Sequence, residues 1–158
     1  MKDIISSPDQ ELQLLYFVLP KILIATICGA IIGWEREKKN KVAGLRTNVL
    51  ICVGSAIFTV ASLLLSQYFN SDPSRIISTI ATGIGFIGGG VIMKNDNRVT
   101  GMTTAAFIWV VSAIGILCGM GASIMPIVLT AGLLGVSKIF QSIEIYYKED
   151  HKDDNPTV

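Results

Sequence analysis

Three glycines in the stretch TGIGFIGGGV (residues 82–91) have the spacing of a dinucleotide-binding loop. They are Gly83, Gly85 and Gly88, in the pattern G-x-G-x-x-G. Such a loop holds a pyrophosphate only when it follows a strand, opens a helix and precedes, by about 20 residues, an acid that binds the ribose. Here the glycines lie inside an apolar run, and no acid stands among residues 102–104. The spacing therefore predicts close helix packing rather than a nucleotide site.

A second candidate site comes from the motif G-[LM]-x-T, which occurs at residues 44–47 and again at 101–104. We expect Thr47 and Thr104 to be N-caps, because a threonine hydroxyl can accept from the free amides of a first helical turn. Each helix start also carries the positive end of a dipole. Together with Arg46, two such ends would favour an anionic partner. That partner could be Glu35 or Glu37 of this chain, a lipid phosphate or a soluble ligand.

The other reactive residue types form no catalytic or metal-binding pattern. The one histidine, His151, lies in a polar tail, and Cys28, Cys52 and Cys118 are scattered through apolar segments. Their spacing is not that of metal ligands, and cysteine in such segments usually acts as a small hydrophobe. We therefore expect no enzyme and no cofactor, and any metal site stays unassigned. The net charge of +1, without a basic stripe, predicts no nucleic-acid partner.

Five apolar segments must position these residues. Apolar residues make up 51% of the 158 residues and charged residues only 16%, against about 25% in soluble domains. A helix that spans a bilayer needs roughly 20 apolar residues. The five segments are Leu14–Trp34, Thr47–Leu65, Ile76–Met93, Thr103–Met120 and Ile124–Phe140. We predict an all-α membrane helical bundle over residues 1–143, in contact with the lipid bilayer, followed by a polar tail over residues 144–158.

Small residues recur every four positions on several of these segments. Gly29 and Gly33 share one face of the first segment, and Gly85 and Gly89 share one face of the third with Ala81. Such faces let helix backbones approach closely, which predicts a tight bundle and favours a homo-oligomer, with a dimer preferred. The alternative is a helix unwound at residues 88–90, including Gly88 and Gly90, whose free carbonyls would line an ion site.

One ionisable residue falls within the first apolar segment. Lys21 follows Pro20, about a turn from the predicted start of the span. We expect its ammonium group to snorkel outward to the membrane interface, because a long lysine side chain can reach polar surroundings from that depth.

The chain also contains an internal similarity. Residues 41–57, KVAGLRTNVLICVGSAI, align with residues 98–114, RVTGMTTAAFIWVVSAI, and the matches include Gly44 with Gly101 and Ser55 with Ser112. The repeated unit is a helical hairpin made of spans 1 and 2, then of spans 3 and 4. Because both copies enter the membrane from the same side, the sequence predicts a parallel repeat.

The distribution of lysine and arginine predicts an orientation. Basic residues concentrate in the first and third connections and in the tail, namely Arg36, Lys38, Lys39, Lys41, Arg46, Lys94, Arg98, Lys148 and Lys152. The opposite side has only Lys2 and Arg75. The positive-inside rule then places the N-terminus outside and the C-terminus inside.

Three blocks of the sequence resemble the signature blocks of the MgtC/SapB family of bacterial membrane proteins. They are GAIIGWEREKKNKVAGLRTN, ATGIGFIGGGVI and VTGMTTAAFIWVVSAIG, in the same order and spacing. The resemblance implies that the family's motif residues fall at Gly33, Glu35, Arg36, Gly44, Arg46, Thr47, Gly83, Gly85, Phe86, Gly88, Gly90, Gly101, Thr103, Thr104 and Trp109. We expect six of them to form a charged cytoplasmic site, namely Glu35, Arg36, Arg46, Thr47, Thr103 and Thr104. Gly33 and Trp109, together with Gly29, are assigned packing roles. Gly89 and Met102 depart conservatively from the common pattern.

The resemblance also implies a location and a function. It implies a bacterial inner-membrane protein linked to growth in low magnesium and to survival inside host cells, and a regulator of other membrane proteins such as the F-type ATP synthase. Many members continue into a soluble domain, so we expect a short form here. No acid lies deep in a predicted span, which argues against a Mg²⁺ carrier. The alternative is a channel or transporter for a small ion or solute at the repeat interface.

The orientation can be tested by placing single cysteines at Asn40 and Asn70, in connections predicted to lie on opposite sides of the membrane. An impermeant thiol reagent applied to intact cells should label position 70 and leave position 40 unlabelled until the membrane is permeabilised. The reverse pattern would contradict the predicted orientation.

Overall fold

Five helices and one short hairpin make up the computed structural model, which describes residues 7–95 and 98–150. The helices are α1 (Pro8–Lys38), α2 (Leu45–Phe69), α3 (Ser74–Val91), α4 (Met102–Gly119) and α5 (Ile124–Asp150). Each contains a stretch long and apolar enough to cross a membrane. Helices satisfy every backbone hydrogen bond within themselves, as lipid requires. The prediction of an all-α membrane bundle with five spans is confirmed.

Local sequence accounts for several helix starts. Pro8 stands in the first turn of α1, where its missing N–H costs nothing, and Asp9 and Glu11 complement the helix dipole there. At the start of α3, the Asp72 carboxylate accepts hydrogen bonds from the Ser74 N–H at 2.9 Å and the Ser74 hydroxyl at 2.7 Å. These bonds favour the ionised form and lower the pKa of Asp72.

Between α3 and α4 the chain forms a two-stranded antiparallel hairpin, β1 (Met93–Asn95) and β2 (Arg98–Thr100), which the sequence patterns did not predict. The hairpin returns the chain to Gly101, whose φ is +87°. A Cβ at this position would collide with the carbonyl oxygen of Val91. Only glycine therefore allows β2 to turn directly into α4.

The core is built where α1, α2 and α4 touch through glycine. A Cβ at Gly33 would lie 2.7 Å from the Leu45 Cα, and one at Gly119 would lie 2.6 Å from the Ala56 carbonyl oxygen. A Cβ at Gly115 would overlap the carbonyl of Cys52. Gly33, near the end of α1, meets Leu45 at the start of α2, so these two helices run antiparallel. From Gly115 to Gly119 on α4, the contacts on α2 move forward from Cys52 to Ala56, so α2 and α4 run parallel.

Small polar residues join the same helices. The hydroxyls of Ser55 on α2 and Ser112 on α4 share a buried hydrogen bond of 2.8 Å. Such bonds hold membrane helices together, because lipid provides no hydrophobic force between them. Ser55 and Ser112 are equivalent in the sequence alignment, so this contact joins like positions. The parallel repeat itself stays a prediction.

α3 contacts the bundle through a different face from the one expected. Ile84 and Gly88 are its buried residues, and a Cβ at Gly88 would make an ordinary contact of 3.6 Å with the Ala105 Cβ. Apart from the adjoining residues and backbone of α3 itself, no atom of the described residues lies within 4 Å of the Cβ positions of Gly83, Gly85, Gly89 and Gly90. The expectation that the Gly85 face packs inside the chain is wrong, because the contact with Ala105 turns that face away from α4.

The helix also remains continuous through its three consecutive glycines and ends only at Val91. The alternative of a helix unwound at residues 88–90 is therefore not found. At the other end of the chain, α5 runs unbroken past residue 143, the predicted boundary, to Asp150. Residues 151–158, including His151, lie outside the described residues.

The glycine contacts predict a sharp difference between two substitutions. Gly115→Leu should lower the free energy of unfolding by about 1–3 kcal/mol or more, because the side chain must displace the α2 backbone. Gly85→Leu should leave it nearly unchanged, since that position is open. Unfolding of the purified chain in mixed detergent micelles measures both.

Equal losses for the two variants would contradict the assignment of the glycine faces. The oligomer size of Gly85→Leu, measured by light scattering, adds a second result. A smaller oligomer than the parent would show that another copy covers the open face of α3.

Candidate functional site

The predicted charged residues lie at one end of the bundle, which we call the basic end. It comprises the connection at residues 39–44, the strands β1 and β2, and the helix ends next to them. Because α2 and α4 run parallel, both of their N-termini lie at this end, as does the C-terminus of α1. The positive poles of two helix dipoles therefore share one end of the bundle.

The start of α2 is capped by a carboxylate that the motif did not reveal. The N-cap residue is Gly44, and the Glu37 Oε2 accepts a hydrogen bond of 2.7 Å from the Leu45 N–H. A Cβ at Gly44 would lie only 2.8 Å from that oxygen, so glycine leaves room for the cap. Thr47 is the third residue of the helix, and the prediction that it is the N-cap is wrong.

The start of α4, like that of α2, has a glycine and not a threonine at the N-cap. Gly101 is the N-cap, and Thr104 is the third helical residue. The prediction that Thr104 caps the helix is therefore also wrong, since the positive φ that this turn requires suits glycine and not threonine. Thr104 is buried, whereas Thr103 is exposed.

Arg36 is the most unusual residue of the basic end. Only 2% of it is exposed, and its Cζ lies 4.0 Å from the centre of the Phe107 ring on α4. Its Nη1 lies 4.0 Å from the Glu35 Oε2, at the limit of an ion pair. The Nε and Nη2 atoms have no hydrogen-bond partner in the described part of the chain. The ring stabilises the guanidinium, but much of its hydrogen-bonding capacity is unused.

Glu35 connects the end of α1 to α5. Its Oε1 forms an ion pair with Lys39, one turn further along α1, and accepts a hydrogen bond of 3.4 Å from the Ser137 hydroxyl on α5. Its Oε2 is buried and has no hydrogen-bond partner among the residues described. The side chain therefore contacts α5 while leaving one oxygen free for a further donor.

Glu35, one of the candidate anionic partners of Arg46, forms ion pairs with other cations in the described part of the chain. Arg46 is exposed at the second position of α2, and the ion pairs of Glu35 within residues 7–95 and 98–150 are with Arg36 and Lys39. Lys39 competes well because the i,i+4 spacing on one helix brings its ammonium next to the carboxylate. Arg46 is left facing solvent at the positive end of the α2 dipole.

Sequence reasoning missed Asn48 and Phe107. Asn48 is fully buried, and its Nδ2 donates to the carbonyls of Ala43 at 2.9 Å and Gly44 at 2.7 Å, which fastens the connection to α2. The signal in the sequence for Asn48 was an amide side chain near the start of an apolar run. The sequence held no such signal for Phe107, because aromatic residues are common in apolar runs.

The remaining predicted residues are dispersed. Gly29 and Gly33 lie in the tight contact between α1 and α2, whereas Trp109 is 57% exposed on α4. Among the described residues, no three His, Cys, Asp or Glu side chains are grouped so that they could hold a metal ion. The site therefore consists of Arg36, Glu35 and their neighbours at the basic end.

The chain is similar in sequence to a known protein family. Residues 22–146 match the model of the MgtC family. Protein MgtC of Salmonella typhimurium (strain LT2) is 42% identical over 112 residues, which cover 71% of this chain and 47% of that protein. "Putative magnesium transporter YhiD" of Escherichia coli (strain K12) is 42% identical over 133 residues, 80% of this chain and 61% of that protein.

A third relative, protein MgtC of Brucella abortus (strain 2308), is 40% identical over 119 residues, covering 75% of this chain and 49% of that protein. The chain thus spans about half the length of the curated relatives it matches. No solved structure matches the chain.

The carboxylate cap predicts a specific loss of stability. Glu37→Leu should lower the free energy of unfolding by about 1 kcal/mol, because the Leu45 N–H loses its acceptor at the start of α2. Glu37→Gln should lose less, since its amide oxygen has the same reach. Detergent unfolding of the three proteins measures this order, and equal stability of Glu37→Leu and the parent would contradict the cap.

Proposed function

The chain belongs to the MgtC family, and from this we propose that it is a regulatory protein of the bacterial inner membrane. It supports adaptation to low magnesium and to stress inside host cells. It does so through membrane protein partners, such as the ATP synthase, whose activity changes membrane energetics or ion homeostasis. The name of the YhiD relative supports the link to magnesium. We propose no enzymatic reaction for the chain.

One observation carries the choice of a regulator over a carrier of Mg²⁺. Among the residues described, the buried lysine, arginine, aspartate and glutamate residues of the helical core are two cations, Lys21 and Arg36. They lie near opposite ends of the membrane-spanning part of α1. Mg²⁺ prefers oxygen ligands, usually carboxylates, and loses its water reluctantly. A divalent cation would meet a buried positive charge whichever end of the core it entered.

The packing of the core supports the same choice. The backbones of α1, α2 and α4 touch at Gly33, Gly115 and Gly119, with no room there for even a methyl group. A conducting path between these helices would require them to separate. The core therefore suits a rigid scaffold better than a pore through its centre.

The basic end supports a role in partner binding. Arg36 and Glu35 both hold buried polar atoms without a hydrogen-bond partner in the described chain. Buried polar groups are normally satisfied, so a partner or ordered water would stabilise this arrangement. Exposed Arg46 beside it offers a further charge. We propose that this end faces the cytoplasm, with the N-terminus outside.

We also propose a homo-oligomer, with a dimer preferred. The face of α3 that carries Ala81, Gly85 and Gly89 is exposed and has open space at both glycines. Faces of this type allow a second helix to approach closely. The second candidate function, transport of a small ion or solute, is favoured by the name of the YhiD relative.

Arg36→Met separates function from stability. A buried arginine with unsatisfied donors is costly, so methionine of similar length should leave the unfolding temperature unchanged or raise it. If Arg36 serves a partner, the variant should still fail to restore growth in low magnesium to a host strain that lacks its own family member. Arg75→Met, at an exposed position near the start of α3 and at the opposite end of the bundle, is the matched control and should grow like the parent.

Normal growth of the Arg36→Met variant would contradict a functional role for this arginine.

A measurement of Mg²⁺ flux distinguishes the regulatory function from the transport function. Purified parent protein in liposomes that contain a Mg²⁺-sensitive dye should give no more influx than protein-free liposomes. A saturable influx that depends on the protein would replace the regulatory proposal with the transport one.

A further inference from the structure

A second polar feature lies at the end of the bundle opposite the basic end. There, the N-terminal part of α1 and the C-terminal part of α2 enclose an open cavity of about 600 Å³ next to the end of α4. Its lining is both polar and apolar and includes Gln13, Lys21, Leu63 and Gln67. Nothing in the proposed function of the basic end uses this cavity.

Lys21 is the charged residue of the cavity, and the expectation that it snorkels outward is wrong. Only 8% of the residue is exposed. Its ammonium donates to the Gly119 carbonyl at 3.3 Å and lies 3.7 Å from the centre of the Phe17 ring. The C-terminus of α4 attracts it, since the last carbonyls of a helix carry partial negative charge.

These contacts leave the charge of Lys21 without an ionic partner. Within the described residues, no carboxylate lies within ion-pair distance of its ammonium. An ammonium group has three N–H donors, and its one hydrogen bond in this part of the chain goes to Gly119. Buried charges in proteins are normally paired. The cavity that Lys21 lines therefore has room for an anion at the position where a counter-charge is missing.

The rest of the lining indicates which anion would fit. Gln13 and Gln67 lie on facing helices, and each amide can supply two N–H donors. Leu63 and Leu64 add apolar wall on α2. Lys21 lies level with the end of α4, a helix of 18 residues that is about as long as the hydrocarbon core is thick. A bilayer whose hydrocarbon core matches the length of α4 therefore places this cation at the depth of the lipid phosphates.

We propose that this cavity binds a phosphate ester. The Lys21 ammonium supplies the counter-charge, the Gln13 and Gln67 amides donate hydrogen bonds to the phosphate oxygens, and Leu63 and Leu64 contact the carbon chain attached to it. The ester can be the headgroup of a membrane lipid or a soluble molecule, because both present the same oxygens.

The test measures thermal unfolding of the full chain in a neutral detergent with three added compounds. Dihexanoyl-phosphatidylglycerol provides phosphate and tails, dihexanoylglycerol provides tails alone, and glycerol 3-phosphate provides phosphate alone. A compound that binds only the folded state raises the unfolding midpoint in proportion to its occupancy. The two phosphate compounds, or the lipid alone, should raise the midpoint, whereas dihexanoylglycerol should not.

Lys21→Gln should weaken the apparent affinity roughly tenfold or more, because it removes a charge-assisted hydrogen bond. Lys38→Gln, which removes an exposed charge at the basic end, should leave the affinity unchanged. Gln67→Leu is a second variant in case Lys21→Gln does not fold. Residue 67 is exposed, so the fold should tolerate leucine, and the affinity should fall several-fold.

The outcomes distinguish the source of the ester. Stabilisation by the phospholipid alone identifies a membrane lipid, and equal stabilisation by glycerol 3-phosphate identifies a soluble ester. Equal midpoint shifts for the parent, Lys21→Gln and Gln67→Leu would overturn the site. Stabilisation by dihexanoylglycerol as large as that by the phospholipid would also overturn it, because the phosphate would then play no part.

Discussion

Backbone contact between helices, allowed only by glycine, is the constraint on which this structure depends. In lipid there is no hydrophobic force to press one helix against another, so association relies on close packing and on hydrogen bonds. Gly33, Gly115 and Gly119 bring α1, α2 and α4 close enough for both. The hydrogen bond between Ser55 and Ser112 exists because the α2 and α4 backbones are already in contact.

The same contact places charge at both ends of the core. Since α4 lies against α1, Phe107 is available to cover the guanidinium of Arg36, and the Gly119 carbonyl is available to the ammonium of Lys21. Fifteen residues of helix, roughly 22 Å, separate the two cations along α1. The core between them holds apolar side chains, the small thiols of Cys28, Cys52 and Cys118, and hydroxyls such as those of Ser55 and Ser112. Among the described residues, the buried charges of the core thus lie at its two ends.

The outer helices serve a different purpose from the core. α3 and α5 have few buried residues, and α3 presents an uncovered glycine face. A helix with so much exposed apolar surface is stable only in lipid or against another protein. The α5 helix also contacts Glu35 through Ser137, so a displacement of α5 would change the hydrogen bonding of Glu35 at the basic end.

The number of helices, their approximate limits and the family could all be predicted from the sequence. Length and hydropathy suffice for this, because a span must be apolar over a fixed thickness of hydrocarbon. The motif residues near the first connection also indicated where charge and helix ends would meet. The connection between α3 and α4, a hairpin, carried too short a pattern to be recognised.

Which residues pair with one another depends on how the helices pack. Small residues at i,i+4 spacing occur on α1, α3 and α4, and nothing local distinguishes a face that meets a helix from the open face of Gly85. Glu35 had several cations within reach along the chain, and the burial of Arg36 against Phe107 depends on how α1 and α4 cross. The caps of α2 and α4 likewise depend on the path of the chain before each helix. Helix rotation and depth arise from contacts distant in sequence, and local patterns do not contain them.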